Sequence, residues 1–390
     1  MRVFLSSGEA SGDAYAAALA REFRVLVKDW ATYEGIGGTA SAQGGIKLWA
    51  DSSTWGSIGI AQAIKVAPRA YKGLKIATRA LATGEPGLFI PIDFGYFNIR
   101  LARRARSLGW RVLYFMPPGS WRKDVQGHDL PEIADEIVTP FSWSAEMLSE
   151  MGAKAHWFGH PLKQLIRESG VARQPRHDNR IAVLPGSRGH EIQLNLPVIA
   201  GALAQINQAG LVAEFAVAPT INAESLARGW RRLAPHRVDD IFVVGDNYGV
   251  LRRARAAVVC SGTATLEAAL CECPMVVVYR VSAGMALQAR IAGFQQPFIA
   301  LPNILLDRHA VPELVHKAAT PAALATMLYD VMQEGPERRG QLTAFEEINS
   351  LTGPHDAITK TARVALDLIR RAPEAIIRIG DEEIEVRPEA

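Results

Sequence analysis

The segment Ala256-Ala257-Val258-Val259-Cys260-Ser261-Gly262-Thr263-Ala264-Thr265-Leu266-Glu267 passes from five apolar residues to a run of small ones and then into Ala268-Ala269-Leu270. It reads as a strand, a small-residue turn and the start of a helix. Small residues let backbone N–H groups approach a ligand, and the unpaired amides and dipole of a helix N-terminus favour an anion there. A phosphate or diphosphate is the natural guest. Glu267 falls one turn into the helix, where it suits sugar hydroxyls better than phosphate. Ser261, Gly262, Thr263, Ala264 and Glu267 together therefore suggest a nucleoside diphosphate. An ordinary strand-to-helix turn with a capping glutamate would present the same residues, so the surroundings decide.

A second junction of the same kind lies upstream. Ile181-Ala182-Val183-Leu184 is a short apolar strand followed by Pro185-Gly186-Ser187-Arg188-Gly189 and a helical pattern from His190. Gly186 and Ser187 repeat the small-residue turn, and Arg188 adds a permanent charge whose planar fork suits phosphate oxygens. Its other reading is a surface ion pair.

Composition frames these sites. A chain of 390 residues has the length of two or three domains. Hydrophobic content of 48% against 21% charged residues describes a folded globular chain rather than a disordered one. A net charge of +3 gives no electrostatic case for nucleic acid. Cys260, Cys271 and Cys273 form no even disulfide framework and lack partners at zinc spacing, which predicts reduced thiols of a cytoplasmic protein. The first residues reach Glu9 too soon for a signal-peptide core, and no stretch approaches the ~20 apolar residues of a membrane span.

Short apolar runs alternate with helix-length amphipathic segments, the pattern of parallel-sheet α/β architecture. Strands are predicted at 2–5, 87–92, 111–115 and 136–138, and again at 180–184, 213–217, 241–244, 256–260 and 275–279. The two series meet around Gly159-His160-Pro161. The expected layout is one Rossmann-like domain over 1–160, a second over 161–355, and 356–390 as a C-terminal helix, crossing back to the first domain, plus a hairpin of 376–379 with 384–387. The nucleotide signals sit only in the second domain, so the first is expected to bind an acceptor across a cleft.

The ordered set Ser7-Gly8-Glu9-Ala10-Ser11-Gly12-Asp13, Ile92-Asp93 with Phe97-Asn98, Phe158-Gly159-His160-Pro161-Leu162, Leu184-Pro185-Gly186-Ser187-Arg188, Ser261 to Glu267, and Leu301-Pro302-Asn303 resembles bacterial lipid-A-disaccharide synthase over about residues 1–370. The resemblance implies two Rossmann-like domains facing a cleft, the B-type glycosyltransferase fold. It implies that a diacylglucosamine passes with inversion from UDP to the 6-hydroxyl of a diacylglucosamine 1-phosphate, giving UDP-linked acylated sugar and glycolipid acceptor as partners. Asn303 joins the UDP-binding set on this ground. Inversion needs one base and positive charge for departing UDP. Asp93, at the C-terminal end of a first-domain strand, matches the family's catalytic aspartate; Glu9, in another strand-to-helix loop of that domain, is the rival base. An N-cap for the helix near Asn98 is the structural alternative for Asp93.

No Asp-x-Asp pair occurs, so helix dipoles and Arg188 are expected to stand in for a metal; no divalent ion and no cofactor are predicted. Departures from the family pattern cluster in the first domain: Phe94-Gly95-Tyr96 replaces Ala-Pro-Asp after Asp93, the segment 117–122 is shortened, and Thr39 replaces a proline. Lys65, Arg69, Lys72, Lys75 and Arg79 recur at helical spacing opposite Ile60, Ile64, Ala67, Tyr71, Leu74 and Leu81, which suits an anionic membrane surface on the cytoplasmic side or a core-packed helix with a solvated basic face. Pro68 threatens that helix. Two other readings stay open: a same-fold enzyme on a soluble UDP-sugar, such as a UDP-N-acetylglucosamine 2-epimerase, and a nucleotide-binding protein without turnover. Nothing in the sequence fixes an oligomeric state.

Overall fold

The computed structural model describes the chain apart from residues 54, 56–59, 207, 282–283, 285–296, 372–374, 380–381 and 387–390, and apart from the side chains of 29, 60–65, 375–379 and 382–386. Two parallel sheets organise it. The first contains β1 (Arg2–Ser6), β2 (Thr32–Gly37), β3 (Lys47–Asp51), β4 (Leu88–Pro91), β5 (Arg111–Phe115), β6 (Glu136–Thr139) and β7 (Ala155–Trp157), in the order β3-β2-β1-β4-β5-β6-β7. The second contains β8 (His177–Leu184), β9 (Val212–Val217), β10 (Ile241–Val244), β11 (Ala254–Val259), β12 (Met275–Tyr279) and β13 (Glu313–Val315), in the order β10-β9-β8-β11-β12-β13. Each order reverses beside its first strand, between β1 and β4 and between β8 and β11, which opens a crevice at the strands' C-terminal ends. Both are Rossmann-like.

The central strands are continuous apolar runs because helices cover both faces. Phe4, Leu5, Phe89 and Ile90 are buried in the first sheet, as are Val183, Leu184, Val258 and Val259 in the second. One apolar cluster runs from Leu5, Leu19 and Leu113 through Leu162 and Ile358 to Val259 and Leu266, so the two layers share a core.

The connector between the sheets is tightly built. Gly159 has φ +97, and a Cβ there would lie 2.3 Å from the Pro354 carbonyl oxygen; only glycine fits both demands. The His160 backbone N–H donates to the Thr352 carbonyl at 2.7 Å. In the helix Pro161–Glu168, Gln164 Oε1 accepts from the Ile358 and Thr359 N–H groups at 2.8 and 3.1 Å. The helix Ala357–Arg370 then lies along the first-domain helix Ala10–Val27, where Thr359 Oγ1 donates to Glu22 Oε2 at 2.8 Å. Ala375–Ile379 and Glu382–Val386 pair antiparallel as a hairpin, with Ile377 opposite Ile384.

The basic segment is the helix Ile60–Leu81, which runs through Pro68. Its buried stripe is Gly73, Ala77, Ala80 and Leu81, rotated by roughly 100° from the expected one at 100° per residue. Gly73 lets the helix approach Trp55 closely. Tyr71, expected on the packed side, is therefore 57% exposed, with Lys75 Nζ 4.6 Å from its ring centroid.

Candidate active site

In the second domain the two predicted turns do become helix N-termini at the crevice. Gly186 (φ +126) turns β8 into the helix Gly189–Leu203, and a Cβ at Gly186 would sit 2.7 Å from the Glu191 side chain. Glu191 Oε2 accepts from the Ser187 and Arg188 N–H groups at 3.1 and 3.2 Å, satisfying two donors at the start of the helix. Gly262 (φ +125) turns β11 into the helix Thr263–Leu270. Ser261 Oγ donates to the Ile299 carbonyl and Thr265 Oγ1 to the Gly262 carbonyl, so these hydroxyls hold the turn. Glu267 is buried one turn in, and burial pushes its pKa up to about 7; a 3.4 Å hydrogen bond from Asn247 Nδ2 pulls weakly the other way.

In the first domain Asp93 follows β4 with φ +47. Its backbone is fixed by three contacts: its N–H donates to the Phe115 carbonyl, and its carbonyl accepts from Asn98 Nδ2 at 2.9 Å and Tyr114 Oη at 3.1 Å. Asn98 also donates to the Ser6 and Ile92 carbonyls, tying the ends of β1 and β4 together. The carboxylate caps no helix: the helix Gly95–Ser107 begins after Phe94 without a side-chain cap. The residue is exposed to solvent, with protein crowding one side of its carboxylate. That crowding, then the charge of Glu9, pushes its pKa up to about 6 against the Phe94 N–H. Tyr96, where the family pattern has a carboxylate, is 74% exposed and lies under Arg100.

The loops meet across the cleft. Glu9 precedes the helix Ala10–Val27 and pairs with Arg188 at 2.9 Å, while the other arm of Arg188 pairs with Glu191 at 2.8 Å. Arg188 thus has the ion pair that was its alternative reading, but inside the cleft rather than on an outer surface. A cavity of about 520 Å³ is lined by Gly8 to Ser11 and Arg69 from the first domain and by Gly186 to Glu191, Ser261 to Ala264 and Glu267 from the second. It joins a second cavity of about 710 Å³ that shares Glu9 and Glu267. Arg69 therefore faces the cleft, whereas Lys72, Lys75 and Arg79 are exposed; the side chain of Lys65 lies outside the described residues.

Asn303 departs from the expected set. Fully buried in the helix Leu301–Leu306, its Nδ2 donates to the Val311 carbonyl and Glu313, and its Oδ1 accepts from the Ala310 and Val311 N–H groups. Every polar atom of the side chain is already used in holding the loop before β13; neither Asn303 nor Asp93 is among the residues that line the two cavities. Asp13, within a quoted motif, likewise acts on its own fold, accepting from the Gly38, Ala40 and Ser41 N–H groups. Two cleft residues, Tyr15 and Asn247, carried no local signal because their partners are far away in sequence. Among the described residues no group of three or more His, Cys, Asp and Glu side chains is placed to hold a metal ion.

The family model described as lipid-A-disaccharide synthetase matches residues 3–361. The chain belongs to that family. It is 32% identical over 396 residues to the lipid-A-disaccharide synthase of Acidobacterium capsulatum, covering 95% of this chain and 96% of the relative. It is 31% identical over 379 residues to that of Myxococcus xanthus, covering 94% and 97%. Among solved structures it resembles the S. aureus MnaA–UDP co-structure (TM-score 0.62, 11% identity, 95% and 98% covered) and MurG of Acinetobacter baumannii (TM-score 0.55, 15% identity, 94% and 99% covered). A UDP-N-acetylglucosamine 2-epimerase follows at TM-score 0.53, with 10% identity and 94% and 95% covered. The B-type glycosyltransferase fold is common to these neighbours, so fold alone does not separate transfer from epimerisation. The family match, running over nearly the whole chain, assigns this one to the glycosyltransferases.

Proposed function

We propose that this chain moves a diacylglucosamine from UDP-2,3-diacylglucosamine to the 6-hydroxyl of 2,3-diacylglucosamine 1-phosphate, with inversion at the anomeric carbon. The observation that carries the reading is the convergence on one cleft of two helix N-termini, Arg188 and Glu267 from the second domain with the Glu9 loop of the first. Ribose hydroxyls donate to Glu267, and the diphosphate lies against the N–H groups at Gly262–Ala264, since the Ser187 N–H already donates to Glu191. Arg188 neutralises the charge that UDP gains as the anomeric C–O bond breaks. Asp93 takes the acceptor's hydroxyl proton as that oxygen forms the new bond to the anomeric carbon. A pKa near 6 suits this role, because the group is ionised at neutral pH yet basic enough to hold a proton. Glu9 serves better as counter-ion to Arg188 than as base, since its carboxylate is already engaged.

Delivery of a lipid acceptor is supported by the exposed Lys72, Lys75 and Arg79, beside which the packed helix Gly95–Ser107 adds the exposed Arg100, Arg103 and Arg104. No helix of the described residues is long and apolar enough to cross a membrane. The exposed basic side chains favour attachment to an anionic cytoplasmic membrane face through charge. Product analysis with labelled UDP-2,3-diacylglucosamine and 2,3-diacylglucosamine 1-phosphate tests the proposal. A disaccharide 1-phosphate plus UDP is expected. Intact UDP binding with no disaccharide would leave nucleotide binding without turnover.

A further inference from the structure

The helix Ala10–Val27 carries a tyrosine into the cavity shared by the two domains. Tyr15 is 3% exposed, and its hydroxyl has no hydrogen-bond partner among the described residues. A buried hydroxyl left in that state is unfavourable, so its persistence calls for a partner that arrives with a ligand. The ring cannot swing away: it sits edge-on to Phe115 and His160, with centroids 6.4 and 6.5 Å apart. It lines the 710 Å³ cavity together with Glu267, Asn247 and Tyr248. The charges that act on the phenol are those of Glu267 and Asp93, one from each domain, and burial with these carboxylates raises its pKa well above the usual value. The group thus stays protonated and serves as a hydrogen-bond donor rather than as a base.

We infer that Tyr15 is a nucleotide-specificity residue whose hydroxyl donates to the same ribose diol that donates to Glu267. A sugar hydroxyl both donates and accepts, so a carboxylate on one side and a phenol on the other satisfy it together. Because Tyr15 belongs to the first domain and Glu267 to the second, the ribose would bridge them. The inference rests on the proposed placement of the ribose at Glu267.

Calorimetric titration of wild type, Tyr15→Phe and Glu267→Gln with UDP, 2′-deoxy-UDP and 3′-deoxy-UDP tests it, with thermal unfolding of each free protein. Tyr15→Phe should bind UDP roughly five- to tenfold more weakly, the effect of one neutral hydrogen bond, and should lose its preference for UDP over one of the deoxy nucleotides. Its free form should be at least as stable as wild type, since the unpartnered hydroxyl is gone. A purely structural hydroxyl would instead lower stability and leave the ribose preference intact, which refutes the inference. Unchanged UDP affinity in Tyr15→Phe alone, with Glu267→Gln weakened, overturns only the role of Tyr15. Unchanged affinity in both variants removes the ribose from Glu267, and the inference with it.

Discussion

Replacing Glu267 with Gln is the perturbation whose size the structure sets most directly. Burial raises this carboxyl from 4.5 to about 7 in the folded chain. At about 1.4 kcal/mol per unit, that shift corresponds to about 3 kcal/mol. The sign follows from which state holds the proton. The folded state binds it more tightly, so the contribution to stability is fully present below pH 4.5 and is lost as pH rises through about 7. Above that, the wild type carries an ionised carboxylate whose hydrogen-bond donor among the described residues is Asn247. Glu267→Gln keeps the shape and an acceptor without the charge. Its stability relative to wild type should therefore increase by about 3 kcal/mol on going from acid to pH 8, with most of the change between pH 5 and pH 8. Urea unfolding at four pH values, followed by tryptophan emission and circular dichroism together, reads this difference. UDP supplies the second half of the test, because ribose hydroxyls that donate to the carboxylate favour its charged form. Wild-type affinity should rise with pH through about 7, and the same titration on the variant subtracts the nucleotide phosphate's own ionisation. A stability difference that stays constant from pH 5 to 8 would refute the reasoning at its root, since the carboxyl would then not be ionising in a buried place.

Asp93→Asn should lower turnover by a factor of about 10² to 10⁴ with little change in UDP affinity, and wild-type kcat should climb with pH through about 6 and level off above it; steady-state rates across pH check both, and near-normal turnover in the variant would move the base elsewhere. Arg188→Ala removes a charge-assisted phosphate contact of about 1.5–3 kcal/mol, so calorimetry should show UDP binding weakened by at least tenfold. Asn303→Ala strands the N–H groups of Ala310 and Val311 and should cost about 2–4 kcal/mol of stability; a variant as stable as wild type but deficient in UDP binding would restore Asn303 to the nucleotide site. Charge reversal at Lys72 and Lys75 should weaken sedimentation with anionic vesicles, and wild-type binding should fall as salt shortens the Debye length to about 10 Å at 0.1 M; absence of binding at low salt rules out the charged docking face.

Much of the fold was legible because buried parallel strands carry their burial on both faces. The predicted runs 111–115, 241–244 and 275–279 coincide with β5, β10 and β12, and the turns after β8 and β11 show their glycines in the sequence. Four strands were not legible for local reasons. Thr32–Gly37 has two glycines and a glutamate, Lys47–Asp51 is a half-exposed edge, and Ala155–Trp157 and Glu313–Val315 have three residues each. None offers the uninterrupted apolar run from which a strand is read.

The sequence by itself determined the class of architecture, the family, and the loops from which the cleft is made, because each of these is written in residues close together along the chain. Only the tertiary structure decided how those loops are used. The pairing of Glu9 with Arg188 joins residues 179 positions apart. The enclosure of Tyr15 beside Glu267, the consumption of Asn303 in its own loop and the rotation of the basic helix about Gly73 likewise depend on what packs against each residue. Periodicity and turn chemistry act over a few residues, whereas burial, pKa and the partners of a polar atom are set by distant segments that meet only when the two sheets share one core.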